Sequence, residues 1–264
     1  MLLFPLLASI SSVAYMLAII FPSGLLAVME NSGEEQVVIG LLQYALLFVI
    51  YLGLAFIATF FNVCVVYTTK TRFEGGDATF MDSIKFAISK TGIIFQWSMI
   101  SATVGIVFAL LDRLAERLGG IGEILMKIVR GLLGAVWSII TIFVVPTLVY
   151  EDVSPKEAIK ISTEVIKKTW GESLARHFGL GLIQFFVILA IIGGTFGLSI
   201  IVPPETGTII VVAIGFLAFI GCILVFNVAN TVFNTALYVY ASTGEEPKAF
   251  NTADDMLANA FRVK

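Results

Sequence analysis

Charge is what this sequence has least of. Asp, Glu, Lys and Arg make up 13% of its 264 residues, about half the usual share of a soluble domain. It has one histidine and two cysteines, with no His/Cys/carboxylate cluster at metal-ligand spacing, so no metal or other cofactor is expected. It shows no nucleophile elbow, phosphate loop or carboxylate pair, which argues against an enzyme. No basic tract offers itself to nucleic acid. Cys64 and Cys222 sit inside apolar runs and read as small core residues. His177, beside Arg176 at the start of another apolar run, reads as an interfacial snorkelling or capping residue.

What is present is hydrocarbon: 58% of the residues are hydrophobic. Charge-free runs cover 1–29, 36–69, 91–111, 131–150, 177–204 and 206–244. Each reaches the roughly 20 residues that a helix needs to cross a hydrocarbon core of about 30 Å. The expected fold is all-α, a polytopic membrane bundle of six transmembrane helices in a single domain, 1–264. A cleavable signal peptide ending near Ser12-Val13-Ala14 competes for the first run, but that run is overlong and lacks a basic leader. No Asp, Glu, Lys or Arg falls in the middle of a run, which argues against a proton-coupled pump.

The sparse cations alternate between loops. Lys70, Arg72, Lys85 and Lys90 follow the second run, and Lys156, Lys160, Lys167, Lys168 and Arg176 follow the fourth. Lys248, Arg262 and Lys264 follow the sixth, giving twelve on one side. The first and fifth loops carry none, and the third carries Arg113, Arg117, Lys127 and Arg130. Twelve against four places both termini in the cytoplasm of a multi-pass cell-membrane protein.

The even-numbered spans end alike, at Tyr67, Tyr150 and Tyr240, where a ring is buried and a hydroxyl wet. A turn and an amphipathic stretch follow each. In the second, Ser154-Pro155-Lys156-Glu157 is a capping box with Pro at the first helical position. Ile159, Ile166, Trp170 and Leu174 then share a face, opposite Lys156, Lys160, Glu164 and Lys167. Lys160–Glu164 and Glu164–Lys168 have the spacing of helix-surface ion pairs. Such a helix is expected in the headgroup plane, apolar side down. The first stretch starts at a Thr79–Asp82 cap and shows Phe80, Ile84, Ala87 and Thr91, and the third shows Met256, Leu257, Ala260 and Phe261. The unit is a two-span hairpin with a surface helix, repeated in parallel over 1–90, 91–176 and 177–264. The competing explanation is chance likeness among membrane-exit sequences. The third loop, with Leu110, Leu114, Leu118, Ile121, Leu125 and Ile128 at helical steps, is expected to be a kinked helix on the outer surface.

The polar residues at membrane depth are few. Asn227, Asn230, Thr231 and Asn234 lie on one face of the sixth span. An unsatisfied amide in hydrocarbon costs several kcal/mol, so this face is expected to look into the bundle. It serves either interhelical hydrogen bonding or a polar lining for a solute or lipid headgroup. Asn62 and Thr59 on span two, Gln96, Ser98 and Ser101 on span three, and Gln184 on span five are the candidate partners. Ala190, Gly193, Gly194 and Gly197 read as a close-packing stripe, and Pro146 as a kink in span four.

The opening Leu2-Leu3-Phe4-Pro5-Leu6-Leu7 and the surface helices resemble a prokaryotic multi-pass membrane family of unknown function. More distantly, the layout is similar to the membrane domain attached to some glycerophosphodiester phosphodiesterases. The resemblance implies a basic amphipathic helix ahead of the Leu-Phe-Pro run, and this sequence starts within that run. The phosphodiesterase barrel is absent, so no activity and no functional residue carries over.

The expected function is that of a non-enzymatic, lipid-interacting or scaffold protein. Membrane lipids would be its partners, with Lys156, Lys160, Lys167 and Lys168 on their headgroups, and self-association or another membrane protein would complete the set. The alternative is a small-solute or lipid path along the sixth span.

Overall fold

A computed structural model describes residues 1–20, 36–170, 179–202 and 206–244. Every described element is a helix: α1 (Leu3–Ile20), α2 (Gln36–Phe73), α3 (Phe80–Ser89), α4 (Thr91–Leu118), α5 (Gly120–Ile140), α6 (Val144–Tyr150), α7 (Pro155–Trp170), α8 (Gly179–Ile201) and α9 (Thr206–Thr243). Six stretches are long and apolar enough to span a membrane: α1, α2, α4, α5 continued by α6, α8 and α9. In lipid the backbone must satisfy its own hydrogen bonds, and a helix does so within one segment. α2 and α9 have 38 residues each, about 57 Å at 1.5 Å per residue, so both outrun the hydrocarbon.

α2 is the hub, packed against α1, α3, α4, α6 and α9. The buried core gathers at one end of the bundle, where the span-ending tyrosines lie. Val63, Cys64, Val65 and Val66 of α2 pack with Phe4, Ala87, Ile94 and Val149. Phe143, Ile166, Ala236, Leu237 and Tyr238 form a second cluster, and Trp97, Val144, Leu148 and Ala158 a third. Tyr150 and Tyr238 have ring centroids 5.6 Å apart, and Lys70 caps the Tyr150 ring at 4.7 Å. Cys64 and Cys222 are free and buried. Away from this Tyr end the apolar side chains face outward, as on Leu189, Phe196 and Phe216, which suits a lipid surroundings and not water.

Two local expectations change, and the kink expected at Pro146 is a full break. The third loop is not one surface helix. α4 runs through to Leu118, and α5 starts at Gly120 as its antiparallel partner. The hinge is Gly119 at φ 58°, ψ 166°, a conformation open only without a Cβ, followed by Gly120 at φ 50°. Arg130 reaches Asp112 at 3.1 Å, and Trp97 stacks on Trp137 at 6.0 Å. Span four breaks at residues 141–143, one turn before Pro146. The proline ring crowds the carbonyl four residues back, that of Ile142, so the helix parts there. The glycine stripe of α8 meets nothing: a Cβ on Gly193, Gly194 or Gly197 would have no neighbour within 4 Å. α8 approaches α9 instead through Gly215, where a Cβ would lie 2.2 Å from the Thr195 hydroxyl.

The surface helices dock on protein. In α3, Thr79 and Asp82 form a reciprocal capping box, and Ser83 and Ala87 are wholly buried. Ser83 hydrogen-bonds Thr68 of α2 at 2.7 Å. Thr91 opens α4 and takes no part in α3. In α7 the Glu157 N–H donates to Ser154 Oγ at 3.4 Å. Ala158 and Ser162, at the same distances from the cap as Ser83 and Ala87, are also wholly buried. Ser162 Oγ accepts the Phe143 N–H at 3.2 Å, at the break that Pro146 imposes. Ile166 joins the second cluster. The inner side of α7 therefore rests on the ends of the spans and not on lipid. Lys160 pairs with Glu157 at 3.8 Å in place of Glu164; exposed pairs of this kind interchange at little cost. Trp170's side chain, Leu174, His177 and the third amphipathic stretch lie outside the described residues.

Candidate functional site

α1 is pinned to α2 and α3 at two points. Phe4, 2% exposed, stacks on Phe80 at 5.0 Å. Further along, the Tyr15 hydroxyl donates to the Val49 carbonyl at 2.6 Å. The Tyr15 ring occupies the space that a Cβ on Gly53 would fill, 2.0 Å away. These contacts draw one side of α1 onto α2 and leave its other side standing off α9. The gap is a cleft of about 370 Å³ between α1, α2 and α9, within the usual size range of small-molecule sites.

Five hydroxyl or carboxamide side chains line it: Ser9 and Ser12 from α1, Asn62 from α2, and Asn227 and Thr231 from α9. Ala58, Phe61, Ile223 and Leu224 supply apolar walls. None of the described lining residues is charged, and all of them belong to charge-free runs. Asn62 lies eight residues before Lys70, about 12 Å along the helix. Ser9, Ile223 and Asn227 are exposed, so the cleft opens on the flank of the bundle between α1 and α9.

The hydrogen bonding is incomplete. Ser9 donates to the Pro5 carbonyl at 2.9 Å, and Thr231 to the Asn227 carbonyl at 3.1 Å. Both hydroxyls are thereby committed as donors and keep lone pairs free to accept. Asn62 Oδ1 is buried with no hydrogen-bond partner. Leaving such a group unpaired costs about 1–3 kcal/mol.

Of the polar residues singled out in the sequence, Asn62, Asn227 and Thr231 converge here. Asn230 and Asn234 are half-buried and do not line the cleft. At 100° per residue the four α9 positions span about 100° in the order Thr231, Asn227, Asn234, Asn230. Only the leading edge of that arc meets α1. Gln96 is exposed on α4 and Gln184 half-buried on α8, and neither reaches the cleft. Ser9 and Ser12 were not anticipated, although a polar pair three residues apart in an otherwise apolar span is the sign that would have found them. On α7, Lys156, Lys160 and Lys167 are exposed; the side chain of Lys168 lies outside the described residues. Among the described residues no group of three or more His, Cys, Asp or Glu could hold a metal ion.

Comparison with curated proteins and with solved structures returns no match. Nothing relates the chain to the glycerophosphodiester phosphodiesterases. Residues 41–248 fit the model of DUF6159, a family of unknown function, and the chain belongs to it.

Proposed function

We propose that this protein is a non-enzymatic, multi-pass membrane protein that holds a lipid headgroup in the cleft between α1, α2 and α9. One observation carries the reading: five uncharged polar side chains converge on a cavity inside otherwise apolar spans. Polar groups facing hydrocarbon are costly, and a bound headgroup would satisfy them. The flank opening supports entry from the bilayer. Both termini lie in the cytoplasm on the count of basic residues. The surface helices then face the inner leaflet, where Lys156, Lys160, Lys167 and Lys168 attract anionic lipid by about 1 kcal/mol each.

A solute path along α9 is less well supported. Toward the Tyr end, Thr235, Ala236, Leu237 and Tyr238 are buried, so the polar line ends in packed protein.

The test is lipid copurification followed by mass spectrometry. The wild-type protein is expected to retain lipid that the Asn62→Leu/Asn227→Leu double variant loses. Identical lipid content in the two, both folded, overturns the reading. Replacing the four lysines by Gln is expected to weaken binding to anionic vesicles without emptying the cleft.

A further inference from the structure

We infer that the cleft selects an uncharged, hydroxyl-bearing lipid, such as a diacylglycerol, over a phospholipid. The inference rests on the proposed headgroup site and names its ligand class. Three features of the cleft argue for it.

The first is charge. Among the described residues no Lys, Arg or His lines the cleft, and Lys70, the nearest cation along α2, lies about 12 Å from Asn62. A phosphate brought to this depth would lose its hydration without gaining a counter-charge, at a cost well above that of any neutral group.

The second is donor and acceptor balance. Ser9 and Thr231 already spend their protons on backbone carbonyls, so each can only accept from a ligand. Asn62, which lines the cleft, also has its Oδ1 buried without a donor. The Asn227 carboxamide offers two N–H donors and one acceptor. The site asks for a group that both donates and accepts. A hydroxyl gives its one proton to one of these acceptors and accepts an Asn227 N–H, whereas a fully ionised phosphate only accepts.

The third is size and shape. A cavity of about 370 Å³ admits a small headgroup and the first methylenes, not two whole acyl chains. The exposed rim at Ser9, Ile223 and Asn227 lets the chains remain in the bilayer beside α1 and α9.

The experiment compares two lipids that differ by a phosphate in place of a hydroxyl. The full chain is reconstituted into phosphatidylcholine nanodiscs doped with either dioleoylglycerol or dioleoyl phosphatidic acid, and bound lipid is counted by native mass spectrometry. Retention of dioleoylglycerol is expected to exceed that of phosphatidic acid by tenfold or more. Asn227→Leu is expected to lower dioleoylglycerol retention by about tenfold, as befits a lost hydrogen bond. Ser9→Val, at an exposed position on α1, is the second variant should Asn227→Leu not fold, and is expected to act the same way. Equal retention of both lipids, each reduced by the variants, overturns the neutral-headgroup inference and leaves the cleft as a lipid site. Retention of neither, or retention that no cleft variant alters, overturns the headgroup site itself.

Discussion

A single hydroxyl joins α7 to the break in span four. Pro146 cannot donate a backbone bond and parts the helix at 141–143. Phe143 N–H then points out of the helix and donates to Ser162 Oγ, which is wholly buried. Ser162→Ala keeps the size of the packing and removes only the acceptor. It is expected to cost about 1–3 kcal/mol, read as a lower thermal unfolding midpoint in detergent, with the spans intact by circular dichroism. Asp82 governs the other surface helix. Its carboxylate accepts from the Thr79 N–H at 3.1 Å and from the Thr79 hydroxyl at 2.6 Å, and these bonds hold its pKa below the ordinary carboxylate value. A depressed folded pKa means that stabilisation is present above the unfolded value, about 3.9, and fades as pH falls through the folded one. The wild type is therefore expected to outlast Asp82→Asn in thermal unfolding at neutral pH. The two should converge in acid below the carboxylate range; a constant gap across pH would contradict the assignment.

At the scale of elements, the α4–α5 hairpin turns on Gly119, whose φ of 58° with ψ 166° suits glycine alone. Gly119→Ala is expected to destabilise by roughly 1–3 kcal/mol and to loosen the Arg130–Asp112 pair, a change measurable by thermal unfolding of the purified protein. The six spans were legible in the sequence because hydrocarbon thickness sets a length that no charged residue interrupts, and the runs 36–69 and 206–244 announce α2 and α9 directly. The hairpin was not legible. A helix lying flat and two helices meeting end to end give the same three- and four-residue spacing, and only the backbone angles at Gly119 and Gly120 distinguish them. The Thr79–Asp82 and Ser154–Glu157 caps were readable because capping is local chemistry. The partners of Ser83 and Ser162 were not, since they come from other helices. The cleft was half readable. Asn62, Asn227 and Thr231 stand out as amides and a hydroxyl in apolar runs. Which edge of the α9 arc would face α1 depends on the Tyr15–Gly53 fit, and sequence spacing does not encode it.

Among the described residues one end of the bundle is packed and the other open, and the packed end carries most of the basic residues. Phe4 on Phe80 brings the start of α1 beside α3, and Lys90 joins Asp152 across the gap between the first and second surface helices. These contacts hold the chain's first residues, α3 and the start of α7 on one face of the bundle. The Gly119 hairpin, one membrane-length span away along either α4 or α5 with α6, belongs to the other. Three of its four cations are engaged, Arg130 with Asp112, Lys127 with Glu123 at 2.5 Å, and Arg113 with the Tyr44 hydroxyl at 3.0 Å. The proposed orientation, Tyr end inward, rests on twelve basic residues against four. Single cysteines placed at Glu74, Lys167 and Arg117, all exposed, in a background with Cys64 and Cys222 replaced by Ala, test this with a membrane-impermeant maleimide on intact cells. Cysteine at Arg117 is expected to label from outside, and cysteines at Glu74 and Lys167 only after the membrane is opened. Labelling of all three from outside would remove the membrane threading, and the reverse pattern would turn the cleft toward the outer leaflet and give its lipid a different source.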